Sequence, residues 1–448
     1  MGSRTDYLNT DKGASVRAGI RDTFLEQVAD LDVRYQRGGV SRLSAYAKSD
    51  GDKRPQRPLY SPEEARRLIE LGVEQRMKVK ISDHYNALVQ GSGSMPPSEA
   101  LANLVTARGE EVADLSGEID PSNQLGYSPL PGVLHKYEMA LLYVAKTCSA
   151  HCRYCYRSDL FSGISGKQLA KIDPVVEYIE NHNDQVVKNG GKHPKSGHPA
   201  LKEVLLSGGD PMILSNKKLA QWLSALADAG IQKIRIGTKE LAFFPQRFDD
   251  AFFAMLDAFH EYYSDTRIVF ATHFTHPDEF LFRDEEGDPC DLGNGRLEWL
   301  SPVYNAVAHL GERRHFVSLE NQTPIIRDVN DDAKALRVLQ RELYAHGIGN
   351  HYFFQCRQIQ GFRAFAIPVE ETLSIFNESK RGLSGVESHA RLVMSAEEGK
   401  MEICGVAGDQ IVFRRLRVPG AAEEQGRLYI APRNPDAYWI TDYDLKST

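Results

Sequence analysis

Long apolar runs are missing from this sequence. No stretch approaches the roughly 20 residues that cross a bilayer as a helix, which excludes a membrane-spanning class. Cysteine is scarce, six in 448 residues, too few for a disulfide framework. Basic residues are not in excess: 54 Lys and Arg stand against 61 Asp and Glu, a net charge of −7. That removes the basic face on which bulk nucleic-acid binding depends. The opening residues, MGSRTDYLNTDKGAS, hold no apolar core of a signal peptide. Internal repeats and low-complexity tracts are also absent. What is present is the composition of a globular protein long enough for one large domain with appendages.

Three of the six cysteines fall in one run, CSAHCRYC, as Cys148, Cys152 and Cys155, spaced C-x3-C-x2-C. Three thiolates at that spacing suit three irons of a [4Fe–4S] cube and leave the fourth iron open. An open iron can chelate the amino and carboxylate groups of S-adenosylmethionine (SAM). An electron from such a cluster can then break the sulfonium bond and release a 5′-deoxyadenosyl radical. A zinc site needs a fourth Cys or His in a matching second pair. His151 lies inside the loop but belongs to no such pair, so the spacing favours radical chemistry far above zinc. An oxygen-sensitive cluster points to a reducing compartment, and the cytoplasm is expected.

Residues 1 to about 15 read as a disordered lead, and 17–35 as a helix with Ile20, Phe24, Val28 and Leu31 on one stripe. KSDGDKRPQRP (48–58) reads as a loop. SPEEARRLIELGVEQRMKV opens as a capped helix, with Ser61 as the cap, Pro62 in the first turn, and Glu63 and Glu64 near the positive end. From Ala140 onward, short apolar runs alternate with helical stretches. Strands are expected at 139–148, 203–211, 233–239, 267–274, 315–323 and 349–356, with helices such as 216–230 and 332–347 between them. That alternation argues an α/β fold with a parallel sheet, open or closed into a barrel. The polar signals cluster at the strands' C-terminal ends, where α/β barrels place their sites. FRDEEGDPCDLGNGRLEWL (282–300) reads as an acidic loop insertion, and short β strands follow Gly399. The expected division is an N-terminal helical region, 1–130, a core, 131–380, and a C-terminal segment with a β-rich tail, 381–448.

The cysteine run is accompanied, in order, by SGGDP (207–211), RIGT (235–238), PQR (245–247), THFTHP (272–277), NQTPIIRDVNDD (321–332) and FFQC (353–356). Over roughly residues 60–400 this set resembles the lysine 2,3-aminomutase family of radical-SAM enzymes. The resemblance implies a partial (β/α)6 barrel with the cluster at its mouth, a helical N-terminal region and a small β-rich C-terminal extension. It implies a [4Fe–4S] cluster, SAM and pyridoxal phosphate (PLP) as cofactors. It also implies an amino-group shift on an amino-acid-like small molecule, an electron donor of the flavodoxin or ferredoxin type, and assembly into homodimers or homotetramers. Tyr154 matches the aromatic that covers the adenine. Ser207, Gly208, Gly209, Asp210 and His273 match positions near SAM, with Asp210 as an acceptor for its ammonium. Arg157 matches an arginine that grips the substrate carboxylate, for which a bidentate guanidinium is suited. Arg153 could serve the cluster's charge, and His276 reads at least equally as a structural histidine.

The sequence departs from the family in four places. Where two arginines and a tyrosine would hold the PLP phosphate, it reads HKYEM: His135 and Met139 fall at the arginine positions, with Lys136 and Tyr137 as partial replacements. The PLP lysine follows a glycine run in the family; here LVMSAEEGKMEI leaves Lys400 as the Schiff-base candidate, with Glu397 and Glu398 beside it. The two aspartates that hold a substrate ammonium are replaced by Arg357 and Ser395. Arg357 makes lysine an unfavourable substrate, because an ammonium would be desolvated beside a cation, unless Arg357 pairs with Glu397 or Glu398. The tail beyond 401 differs too. These departures leave a PLP-independent rearrangement, elimination, epimerisation or oxidation open beside an aminomutase, and a non-catalytic iron–sulfur partner as a third reading.

Overall fold

The computed structural model describes residues 11–40, 42–47, 58–120, 123–157, 169–420 and 422–447. The expected loop at 48–58 therefore lies outside the described residues except for its last position. One twelve-stranded sheet runs through the protein in chain order. Its strands are β1 (Val133–Leu134), β2 (Ala140–Ala145), β3 (Glu203–Gly208), β4 (Lys233–Thr238), β5 (Arg267–Thr272), β6 (Val317–Ile325), β7 (Ile348–Gln355), β8 (Arg391–Ala396), β9 (Gly399–Ala407), β10 (Gln410–Arg417), β11 (Leu428–Pro432) and β12 (Lys446–Ser447). From β2 to β8 every neighbouring pair is parallel. The rest pair antiparallel.

Parallel neighbours require crossovers, and helices supply them. Among the described residues the helices of nine or more residues are, in chain order, α1 (Asp11–Ala29), α2 (Pro62–Glu70), α3 (Ile172–Lys188), α4 (Asn216–Asp228), α5 (Asp250–Tyr262), α6 (Ser301–Glu312), α7 (Ala333–Ala345) and α8 (Val369–Ser379). Helices α3 to α8 connect the seven parallel strands one by one. Strand β6 shows how the layers are set: Val317, Leu319, Asn321, Thr323 and Ile325 are buried, and the alternate residues are half-buried. A period of two places one set against the helices, and Gln322 and Pro324 from the other set line a cavity.

Several boundaries differ from the sequence reading. Helix α1 begins at Asp11 rather than 17 and ends at Ala29 rather than 35; Phe24 packs on Phe259 and Tyr263 beside α5. The helix capped by Ser61, whose Oγ accepts from Glu64 N at 3.1 Å, stops at Glu70. Gly72, in the left-handed region at φ 74°, breaks it before a short turn at Val73–Arg76. The 282–300 insertion contains two isolated antiparallel bridges, Arg283–Pro289 and Asp291–Leu297, and a third, Leu281–Trp299, closes its base. Beyond α8 the sheet continues: β8 pairs parallel with β7, and β9–β12 extend it antiparallel.

Candidate active site

A cavity of about 370 Å³ opens at the C-terminal ends of the parallel strands. Its wall includes Cys148, Cys152, Cys155, Ser207–Asp210, Thr238, His273, Pro324, Arg357 and Lys400. The three cysteines leave β2 on one loop, and none is in a disulfide. Burial pushes the Cys148 thiol up, with Asp210 adding to it, and pushes Cys152 up to about 12. Thiols in such surroundings ionise only when a positive centre takes the charge, as a metal does. Three soft donors facing one cavity therefore fit an iron–sulfur cluster.

The cysteine loop is fastened by residues with no motif of their own. Ser149 N donates to Glu240 Oε1 at 2.9 Å and its hydroxyl donates to Oε2. His151 N donates to Lys80 O at 2.9 Å, and its Nδ1 meets Lys78 O at 2.8 Å. Arg153 is fully buried and paired with buried Glu111 at 2.6 Å, while Nη1 reaches Met77 O at 3.1 Å. Arg153 thus faces the N-terminal segment rather than the cavity, and clamps the loop to that segment.

The glycines of SGGDP are required by close packing. Gly209 N donates to Ala145 O at 2.8 Å and Asp210 N to Thr147 O at 2.9 Å. A Cβ on Gly209 would overlap the backbone of Thr147, and one on Gly208, at φ +107°, would crowd Ala145 O. Asp210 accepts from Met212 N at 2.9 Å, Thr238 Oγ1 at 3.0 Å and Lys239 N at 2.7 Å. Burial and the neighbouring Glu240 raise its carboxyl above the usual carboxylate range. Much of the acceptor capacity expected for a ligand ammonium is therefore committed to holding β3 against β4. Tyr154 hydroxyl lies 3.2 Å from His273 Nε2 and 3.0 Å from Thr275 Oγ1, and its ring stacks on His273. Lys239, another residue without a sequence signal, bridges His273 O at 2.7 Å and Glu279 at 2.6 Å. His276 caps a short turn, accepting from Asp278 N at 3.2 Å, and is not among the cavity-lining residues.

The far wall corrects the phosphate-strand reading. His135 does not line the cavity; its Nδ1 meets Tyr178 hydroxyl at 2.7 Å and its ring stacks on His198. Lys136, Tyr137 and Met139 do line it. Lys136 Nζ donates to Ala396 O at 2.9 Å, and burial lowers its amine to about 8. Lys400 lines the cavity, and its Nζ is 4.2 Å from the Tyr352 ring centroid. Burial, then Arg235, Arg357 and Arg417, lower its amine to about 7. Glu397 and Glu398 form the exposed turn between β8 and β9, and Glu397 accepts from Asn123 Nδ2 at 2.9 Å. Neither lines the cavity. Arg157 is buried and donates to Ser207 Oγ and Gly208 O. Ser395 and Arg235 complete this wall.

A parallel α/β sheet with a C-x3-C-x2-C loop at the C-terminal end of its first parallel strand defines a radical SAM enzyme. No family model matches the chain. It is 32% identical over 387 residues, 85% of this chain and 91% of the relative, to a protein of Aquifex aeolicus provisionally named L-lysine 2,3-aminomutase. It is 27% identical to L-lysine 2,3-aminomutase of Fusobacterium nucleatum, over 73% of this chain and 69% of that one. Glutamate 2,3-aminomutase of Clostridioides difficile is 25% identical, over 71% and 65%. A radical SAM methyltransferase of known structure from Sphaerobacter thermophilus aligns with a TM-score of 0.35 at 13% identity, covering 60% of this chain and 72% of that one. The chain belongs to the lysine 2,3-aminomutase family of radical SAM enzymes. Membership implies SAM and a [4Fe–4S] cluster. Among the described residues no helix is long and apolar enough to cross a membrane.

Proposed function

We propose that the protein catalyses a radical 1,2-amino shift on an amino acid other than lysine, with PLP on Lys400. The observation that carries this reading is the presence of Lys400, with its amine lowered to about 7, on the same cavity as Cys148, Cys152 and Cys155. When bound, the cluster and SAM supply a 5′-deoxyadenosyl radical that removes hydrogen, and PLP supplies a carrier for nitrogen. Lys400 fits PLP because an amine neutral near pH 7 is nucleophilic. Lys136 and Tyr137 would hold the phosphate; Lys136 is a cation on the same wall. Ser207–Asp210, Tyr154 and His273 would bound the SAM end, and Arg157 would orient the substrate carboxylate. Tyr154 and the packed strand ends exclude water, which protects a radical from side reactions. We read β2–β8 with their helices as a partial barrel, 131–380 as its core, and 1–130 and 381–448 as its flanking segments. The chemistry calls for a low-potential electron donor and a reducing compartment.

The test is an anaerobic absorbance spectrum of the protein supplied with PLP. A band at the violet edge that borohydride abolishes and Lys400→Ala lacks is expected. Turnover that persists with no PLP bound would defeat the reading. It would favour PLP-independent chemistry, to which the apolar Met139 on the cavity wall also points.

A further inference from the structure

Four histidines meet outside the cavity, and none of them lines it. His135 comes from the approach to β2, His182 from α3, and His193 and His198 from the loop between α3 and β3. His135 stacks on His198 with ring centroids 4.8 Å apart and lies 4.9 Å from His182. His182 in turn stacks on His193 at 4.6 Å. His135, His182 and His198 are buried, and His193 is half-buried. Neutral rings pack well at this distance, whereas imidazolium cations so close repel with little water between them to screen the charge.

The hydrogen bonds fit neutral rings. His135 Nδ1 meets Tyr178 hydroxyl at 2.7 Å, and its buried Nε2 forms no hydrogen bond among the described residues. Protonation would place an N–H there with no acceptor. His182 Nε2 donates to Pro199 O at 3.0 Å. His193 Nδ1 accepts from Ser196 N at 3.3 Å, a bond that a proton on Nδ1 breaks.

The groups facing the cluster divide by element. From the approach to β2, Glu138 favours a charged His198 and the Tyr137 backbone a charged His135. Glu138 is also held by Arg417 at 3.1 Å. From the loop, Lys195 opposes a charge on His193. Helix α3 contributes the Tyr178 hydroxyl and His182 itself. Burial, reinforced by the other rings, wins: it pushes His135 down to about 3 and lowers His193 and His198.

The cluster joins segments that build the cavity. His135 directly precedes Lys136 and Tyr137, which line it. The 193–198 turn abuts the turn after β10, where a Cβ on Gly420 would lie 3.6 Å from Ser196 O. Strand β10 pairs with β9, which carries Lys400.

We propose that His135, His182, His193 and His198 form an acid-sensitive latch: neutral, they stack and hold the approach to β2 against α3 and its loop; protonated, they part and free the Lys136–Tyr137 wall. The latch stands apart from the reaction assigned to the cavity. The closed cluster resists protons and the open one takes them up. It therefore holds above the free imidazole value of about 6.5 and weakens as pH falls below it.

Hydrogen–deuterium exchange tests this on the full chain, reconstituted anaerobically with iron and sulfide, at about pH 7.5 and about pH 5.5, with intrinsic rates corrected. Peptides covering 133–139 and 191–199 are expected to lose protection at the lower pH, by about tenfold for each histidine that stays neutral when the latch is closed. Peptides from β6 and α7 should keep theirs. His193→Phe with His198→Phe retains flat rings and removes two titrating groups, so the loss should shrink by about a hundredfold. His198→Asn alone, which should remove about one tenfold step, carries the test if the double variant is less protected at the higher pH. Equal wild-type protection at both pH values overturns the latch. So does the same loss in the variants, or a loss spread evenly over the whole chain.

Discussion

Lys136 Nζ donates a 2.9 Å hydrogen bond to the carbonyl of Ala396, joining the approach to β2 to the hairpin that presents Lys400. The two positions are 260 residues apart in sequence, so the cavity's cationic wall exists only once both ends of the sheet have assembled. Lys136→Met keeps much of the side-chain length and removes the donor. It is expected to lower stability by about 1–3 kcal/mol, as for a charged donor lost from a partly buried acceptor. Urea unfolding measures that loss, and bound PLP should fall in the same variant.

Cys152→Ala removes one of three donors facing the cavity. Iron and sulfide content after anaerobic reconstitution should drop sharply, and reductive SAM cleavage should vanish. Thermal unfolding of the cluster-free protein should change little, since Cys152 is only partly buried. Full iron content in the variant would remove Cys152 from the ligand set.

The Arg153–Glu111 pair is fully buried. Glu111→Ala leaves an uncompensated guanidinium and is expected to cost about 3–5 kcal/mol. Replacing both residues by apolar ones of similar volume should cost much less. A double-mutant cycle by chemical denaturation checks the coupling. Cluster assembly should suffer in the double variant as well, because replacing Arg153 removes the bond that ties the cysteine loop to Met77.

Gly209→Ala places a methyl group against the backbone of Thr147. Backbone on both sides leaves little room to yield, so a loss of about 1–3 kcal/mol is expected. The cysteine loop should be displaced with it. Lower iron incorporation together with a lower melting temperature is the expected signature; wild-type values for both would count against the close-approach argument.

Lys400 gives stability a pH dependence of known sign. Its amine is lowered to about 7 by burial and by Arg235, Arg357 and Arg417, whereas in the unfolded chain it titrates near about 10.4. Between those values the unfolded state holds more protons, so this residue makes stability rise with pH across that window. Below the folded value the full cost of burying the ammonium is present. Lys400→Met should therefore stabilise most at the acidic side of the window and least at the alkaline side. Urea unfolding at both sides tests this, and a pH-independent difference would refute it.

Much of the fold was legible because its signals are local. Apolar runs marked β2 to β7 within a few residues, since buried parallel strands need continuous apolar sequence. The ends of α1 were not legible: its stripe continued to Leu31, but regular helix stops at Ala29. Gly72 ended a helix that residue pattern alone would have extended.

The site divides in the same way. The cysteine triplet, SGGDP and Tyr154 were readable because their chemistry depends on short spacing along one chain. Which way Lys136, His135 and Lys400 face was not, because a one-residue change of register turns a side chain to the other face of a sheet. Glu111, Glu240 and Lys239 had no signal at all: each is a single charged residue whose role arises from a partner far away in sequence. The sequence by itself determined the radical SAM family and the alternation of strands and helices. Only the tertiary structure decided that Lys400 meets that machinery across one cavity and that Arg157 and Arg357 share Tyr156. Facing and charge environment depend on neighbours that folding alone brings together.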